Sequence, residues 1–300
     1  MKKTIVTAIT FLALLFTIQP AQAQDSGEPL YTDEFGIQMY TFRNVIPEIG
    51  LEATYDRIRE MGIKYVEGGP GEGQTAEQYL QLLEERDLQL ASTGAGFGEL
   101  RDNPQAVADR ANELGAKFVM CAWINHEVGN FNFLNASEAV EVFNKAGEVM
   151  ADNGLTFMYH THGYEFQPHG EGTLFDYIVE NTNPDNVKFQ MDVFWAQFGG
   201  ANPEFLLKKY PNRWVSLHLK DMRKGILKDH TGLTDPDNDV ILGTGELNIP
   251  NIINAANEIG IDYMFIEDES SDPLYQVPET IEYLKSLTAD DVYDFENMPE

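Results

Sequence analysis

Between Phe35 and Ser286 the sequence repeats one pattern eight times, a short apolar run followed by an amphipathic segment. The apolar runs fall at 36–40, 65–67, 88–92, 118–123, 156–160, 188–192, 214–219 and 263–267. The amphipathic segments fall at 52–61, 76–86, 104–114, 137–153, 174–181, 203–209, 249–259 and 277–286. Near-continuous apolar strands that alternate with helices imply a parallel sheet covered by helices. Eight units favour closure, so the predicted class is α/β, a single-domain (β/α)8 TIM barrel. Several helices end on the same punctuation: Met61-Gly62-Ile63, Leu114-Gly115-Ala116, Asn153-Gly154-Leu155 and Ile259-Gly260-Ile261. Glycine there accepts the left-handed conformation that stops a helix, and a buried strand follows.

The flanks read differently. Met1-Lys2-Lys3, the apolar run from Ile5 to Ile18 and Pro20-Ala21-Gln22-Ala23 carry the charged, apolar and small-residue parts of a secretory signal. Cleavage is expected after Ala23, which gives a signal peptide at 1–23, a linker at 24–34, the barrel at 35–288 and an acidic, frayed tail at 289–300. The apolar run is shorter than the ~20 residues of a membrane span, so no membrane insertion is expected after cleavage. The protein is therefore expected to be exported, to the periplasm or beyond. Cys121, the single cysteine, cannot form an internal disulfide and reads as a buried small hydrophobe. A formal net charge of −29 repels phosphate backbones and anionic lipid, which makes nucleic acid and multiply phosphorylated molecules poor partners.

In a barrel of this kind the chemistry sits at the C-terminal ends of the strands. Ionisable residues gather there: Glu67 on strand two, His160 and His162 on strand five, Asp192 on six, His218 and Lys220 on seven, Glu267 on eight. His126 follows strand four. In a strand, residues two apart share a face, so His160 and His162 project together. Each residue alone has an ordinary structural role open to it, but together they form a ring of nitrogen and oxygen ligands without thiolate. That donor set suits one divalent cation such as Mn²⁺, Co²⁺, Zn²⁺ or Mg²⁺.

The candidate ligands are His160 (or His162), Asp192, His218 and Glu267, one from each of four consecutive strands. A metal held so polarises a carbonyl and stabilises an enediolate while a neighbouring base removes the adjacent proton. Candidate proton-transfer groups are Glu165, Glu67, Lys220 and whichever histidine is not a ligand, His162 if His160 binds the metal. Tyr40, Trp123 and Trp195 stand at or after strand ends, where aromatic faces stack on sugar C–H surfaces, and Arg223 follows strand seven. The glycine- and aspartate-rich stretch 222–247 is too long for an ordinary connection and is expected to form a lid or active-site loop. Within it Gly243-Thr244-Gly245 lacks the lysine and helix start of a phosphate loop, so a close-approach turn is expected.

At these residues the chain resembles the sugar phosphate isomerase/epimerase superfamily, the xylose isomerase-like barrels. The carriers include Gly36-Ile37-Gln38-Met39-Tyr40-Thr41-Phe42-Arg43, the His160-Thr161-His162 stretch and Met191-Asp192-Val193-Phe194-Trp195. His218-Leu219-Lys220-Asp221-Met222-Arg223, Leu242-Gly243-Thr244-Gly245-Glu246 and the stretch that opens with Ile266-Glu267-Asp268 complete them. The resemblance implies metal ligands at Asp192, His218 and Glu267. It also implies a departure, because the isomerases and epimerases usually carry a glutamate where this chain has His160. A His-x-His on strand five is more similar to the inosose dehydratase-like and 3-keto-glycoside-processing branch. The implied activity is that of an enzyme acting on a small carbohydrate through an enediolate, as a lyase or hydratase on keto-sugars or as an isomerase or epimerase on free ketoses. A sugar-binding barrel without catalysis is the alternative of another class.

Overall fold

The computed structural model describes residues 27–31 and 34–293. The expected signal peptide at 1–23 lies outside the described residues, as does the end of the acidic tail from 294. Eight strands form the barrel: β1 (Gly36–Gln38), β2 (Tyr65–Glu67), β3 (Gln89–Gly94), β4 (Phe118–Cys121), β5 (Thr156–His160), β6 (Val187–Asp192), β7 (Trp214–Leu219) and β8 (Met264–Ile266). Each pairs in parallel with its sequence neighbour, and β8 pairs with β1 to close the ring. The glycines predicted to stop helices do so, with φ of 81° at Gly62, 66° at Gly115, 75° at Gly154 and 77° at Gly260. Among the described residues no helix is long and apolar enough to cross a membrane.

The differences from the sequence reading have local causes. The helix expected from 137 begins at Phe133, because the Asn132 side chain accepts from Leu134 N and starts the helix earlier. The last helix runs Pro273–Ser286 and carries Pro278 inside it; from sequence that proline reads as a start. Helices Phe97–Asp102 and Val193–Phe198 are too short to show a period, and the second buries almost every side chain. The tail is held further than expected: Ala289–Asp291 form a 3-10 turn, Leu30 N donates to Leu287 O at 3.0 Å, and Tyr293 N donates to Asn251 Oδ1 at 2.8 Å.

Inside the barrel the side chains lie in layers, as the alternation of strand residues requires. One end is apolar, filled by Phe118, Met120 and Met158 with Tyr263 packed on them. The other end is polar and fully buried: Glu67, Gln190 and Ser216, and above them His160, Asp192 and His218. Gln190 and Asp192 are two apart on β6, and Ser216 and His218 two apart on β7, so both pairs face inward in successive layers. The parallel register sets Asp192 beside His218 and His160 beside Gln190.

Candidate functional site

Above the polar layers opens a cavity of about 450 Å³. Its floor contains His160, His218, Lys220 and Glu267, and its walls include Trp123, Phe194, Trp195 and Leu233. Asp192 is buried behind that floor, next to His160, His218 and Lys220. Its Oδ1 accepts from Trp195 N at 2.9 Å and so caps the helix that follows. Its Oδ2 is buried and accepts no hydrogen bond. Three cationic or potentially ligating nitrogens surround that oxygen: His160 Nε2 at 3.9 Å, His218 Nδ1 at 4.0 Å and Lys220 Nζ at 3.6 Å. A carboxylate oxygen left bare in a dry interior costs free energy unless something occupies the gap beside it. His160, Asp192 and His218 offer ligand atoms that all lie within 4.8 Å of one another, so that side-chain shifts of about an ångström would bring them to the ~2.1 Å distances of a shared cation. Glu267 Oε2, 3.0 Å from His218 Nδ1, borders the same gap.

The charges in the floor are arranged in alternation. His218 lies between two carboxylates, Nε2 on Glu67 Oε1 at 2.7 Å and Nδ1 on Glu267 Oε2 at 3.0 Å. Burial alone would lower this imidazolium, but the flanking Glu267 and Glu67 push it up to about 10. His160 sits beside it without such a partner, and burial together with the neighbouring His218 charge pushes it down to about 3. His162 is held well below its ordinary value by burial, then by His160 and Lys220. Lys220 is buried, yet Glu267, Glu269, Asp192 and Asp239 hold its ammonium charged. Burial pushes the Asp192 carboxyl up, while Lys220 and His218 overcome burial and hold Glu267 down.

The two strand-five histidines separate clearly. The Nδ1 of His160 is engaged by Gln190 Oε1 at 3.0 Å, which leaves its Nε2 for the gap beside Asp192. His162 stands one step outward, its ring stacked on Trp195 at 4.8 Å and 17°, and its Nδ1 has no partner. Lys220 lines the cavity, as do Trp123, Trp195 and Tyr40, the last 52% exposed at the rim.

Three expected site residues stand elsewhere. Glu165 does not line the cavity; after Gly163, with φ of 93°, the chain turns back and Glu165 Oε1 accepts from His162 N at 2.8 Å. Arg223 is carried outward by a short hairpin, Asp221–Met222 with Asp239–Val240, and donates to Asp237 O. Glu67 is buried against His218 and Gln38 rather than presented to the cavity. Sequence reasoning missed Gln38, Gln190, Asp239 and Glu269, and the signal available for Gln190 was its position two before Asp192 on one strand. The long connection after β7 does wall the cavity, through Gly232, Leu233, Thr234 and Pro236.

Comparisons with known proteins agree with the fold. A family model described as the xylose isomerase-like TIM barrel matches residues 55–287. A curated inosose dehydratase of Clostridium beijerinckii is 28% identical over 208 residues, 61% of this chain and 68% of that protein. Among solved structures, a sugar phosphate isomerase/epimerase from Parabacteroides distasonis superposes with a TM-score of 0.70 at 22% identity, over 86% of this chain and 97% of that one. The IOLI protein, solved with a bound zinc atom, superposes with a TM-score of 0.65 at 17% identity, over 86% of this chain and 97% of its own.

Proposed function

The chain belongs to the xylose isomerase-like TIM barrel family, and from that premise we propose that it is a divalent-metal-dependent carbon–oxygen lyase. Its substrate is an uncharged keto-sugar or keto-glycoside. The observation that carries the reading is the bare, buried Oδ2 of Asp192 facing imidazole nitrogens of His160 and His218. Two likenesses support it: the curated relatives are inosose dehydratases, and a zinc atom sits in the similarly folded IOLI protein. The residues that would hold the ion are His160, Asp192, His218 and Glu267. When bound, the ion polarises the substrate carbonyl and neutralises the negative charge that develops on its oxygen.

The remaining steps belong to side chains of this chain. His162, kept neutral by burial, accepts the proton from the carbon beside the ketone. The electron pair left behind forms the new double bond as the C–O bond one carbon further breaks. Lys220, kept protonated by its carboxylates, gives its proton to the departing oxygen, which leaves as water or as an alcohol. Solvent then returns both groups to their starting states. Trp195 and Trp123 supply flat apolar walls for the sugar ring. Among the described residues, the only amine or guanidinium on the lining is Lys220, which already faces Asp192, Asp239, Glu267 and Glu269, so an uncharged substrate suits this lining better than a phosphate or carboxylate.

Incubation of the metal-loaded protein with inososes, free ketoses and 3-keto-glucosides in deuterated water, followed by NMR, tests the reading. Loss of water or of the aglycone with formation of an enone is expected. Deuterium incorporation into an otherwise retained skeleton would instead mean an isomerase or epimerase, and an unchanged spectrum a binding barrel. Export belongs to the same proposal, and processed protein from the native host should begin at Gln24.

A further inference from the structure

The polar layer beneath the ligands contains one continuous hydrogen-bonded chain. His160 Nδ1 meets Gln190 Oε1 at 3.0 Å. The amide of Gln190 donates from Nε2 to Glu67 Oε2 at 3.0 Å and to Ser216 Oγ at 2.8 Å. Glu67 Oε1 faces His218 Nε2 at 2.7 Å and accepts from Gln38 Nε2 at 2.5 Å. Every member is buried, Gln38 the least so at 8% exposure. The members come from β1, β2, β5, β6 and β7, so the chain crosses the barrel from one imidazole to the other.

The direction of this chain is fixed by its one acceptor-only member. An ionised Glu67 carboxylate can only accept, so the amide nitrogen of Gln190 must point at it and the amide oxygen must point at His160. An oxygen at that place obliges His160 to carry its proton on Nδ1, which leaves the lone pair of Nε2 directed at the gap beside Asp192. The other oxygen of Glu67 takes the Nε2 proton of His218 and so fixes the orientation of that ring, with Nδ1 turned to Glu267 and the gap beside Asp192. We propose that Glu67 is a positioning residue that acts on both histidines at once, holding the ring of His218 directly and setting the tautomer of His160 through Gln190. It does not touch the substrate. A histidine on β5 needs such a relay, whereas a carboxylate in that place would present an acceptor in any orientation. The relay rests on the metal reading only for its purpose; the His160 tautomer is a property of the metal-free protein as well.

The test exploits the polarity of the chain. In Glu67→Gln the amide oxygen serves His218, the amide nitrogen faces Gln190, and Gln190 must turn its own oxygen toward position 67. The Gln190 nitrogen then faces His160 Nδ1, and the His160 proton moves to Nε2. Exchanging the two residues, Glu67→Gln with Gln190→Glu, restores an acceptor to His160 and keeps an acceptor at His218. Side-chain ¹⁵N NMR of histidine-labelled, metal-free protein reads the tautomer directly. His160 should be protonated on Nδ1 in the wild type, on Nε2 in Glu67→Gln, and on Nδ1 again in the double variant. Zn²⁺ affinity by chelator competition should fall about 10- to 100-fold in Glu67→Gln, as for loss of a ligand-orienting partner, and recover in the double variant. An unchanged His160 tautomer in Glu67→Gln, or a double variant that stays switched, overturns the relay. A wild type that shows the expected His160 tautomer but no affinity for Zn²⁺, Mn²⁺ or Co²⁺ upholds the relay and overturns the metal reading instead.

Discussion

Two buried aspartates, Asp192 at the end of β6 and Asp221 just beyond β7, make opposite use of the same side chain. Asp221 is completely satisfied: its Oδ1 accepts from Met222 N at 2.8 Å and Leu247 N at 3.0 Å, its Oδ2 from Gly243 N and Gly245 N, both at 2.9 Å. The Gly243-Thr244-Gly245 turn is thus a cradle already filled by the chain's own carboxylate, and a Cβ at Gly245 would overlap it. Asp192 has equal burial but keeps one oxygen bare, aimed at two imidazoles and an ammonium. A satisfied buried carboxylate ties segments together, while one left unsatisfied among ligating side chains marks where a ligand belongs. The contrast separates a residue that holds the connection after β7 from one that equips the site.

The largest effect expected from breaking this contrast lies at the bare oxygen. Asp192→Asn and His218→Ala should each lower turnover by about 10³-fold, since a Lewis acid supplies several kcal/mol to such a step. Circular dichroism of the metal-free Asp192→Asn protein should remain native, because the substitution removes a carboxyl that burial already disfavours in its charged form. An active variant would remove its residue from the site. Next comes Asp221→Ala, which strands buried N–H groups at a cost of about 3 kcal/mol or more in urea unfolding. Its folded fraction should bind Zn²⁺ as the wild type does; equal stability would show the cradle to be idle.

Glu165 sharpens the comparison from a third side. It is buried, one oxygen on His162 N and the other without a partner, and burial pushes its carboxyl up to about 7. A carboxyl raised above its unfolded value favours the fold while neutral, so that stabilisation is full below the unfolded value and is lost as pH rises through about 7. Glu165→Gln should therefore flatten the fall in stability between pH 4.5 and 7 in metal-free protein. Parallel pH profiles would contradict this placement. The smallest effect belongs to Trp195, whose Nε1 is buried without a partner in a residue that lines the cavity. Trp195→Phe should raise KM several-fold with kcat little changed, as expected for loss of a contact made equally in ground and transition states.

What the sequence made legible follows from where chemistry is rare. Histidines, aspartate and glutamate at the ends of apolar strands have few structural reasons to be there, so the gathering of His160, Asp192, His218 and Glu267 at one end of the barrel could be read from position alone. Which of His160 and His162 faces Asp192 could not, because it depends on Gln190, a residue type common on any strand. Glu165 and Arg223 were drawn toward the site by proximity in sequence, but a positive-φ glycine and a two-residue hairpin redirect the backbone, and neither turn alters a hydrophobic pattern. Glu67 was read as a proton-transfer group at the site, and only the fold shows that it packs against His218 outside the cavity lining.

The central claim is that the bare Asp192 oxygen exists to hold a cation. Elemental analysis of the purified protein, paired with titration of the metal-free form with Mn²⁺, Co²⁺ and Zn²⁺, tests it most directly. The account predicts one divalent ion per chain in the wild type and none retained by Asp192→Asn. A wild-type chain that neither carries nor takes up a divalent ion, or an Asp192→Asn chain that holds one as tightly, would contradict it.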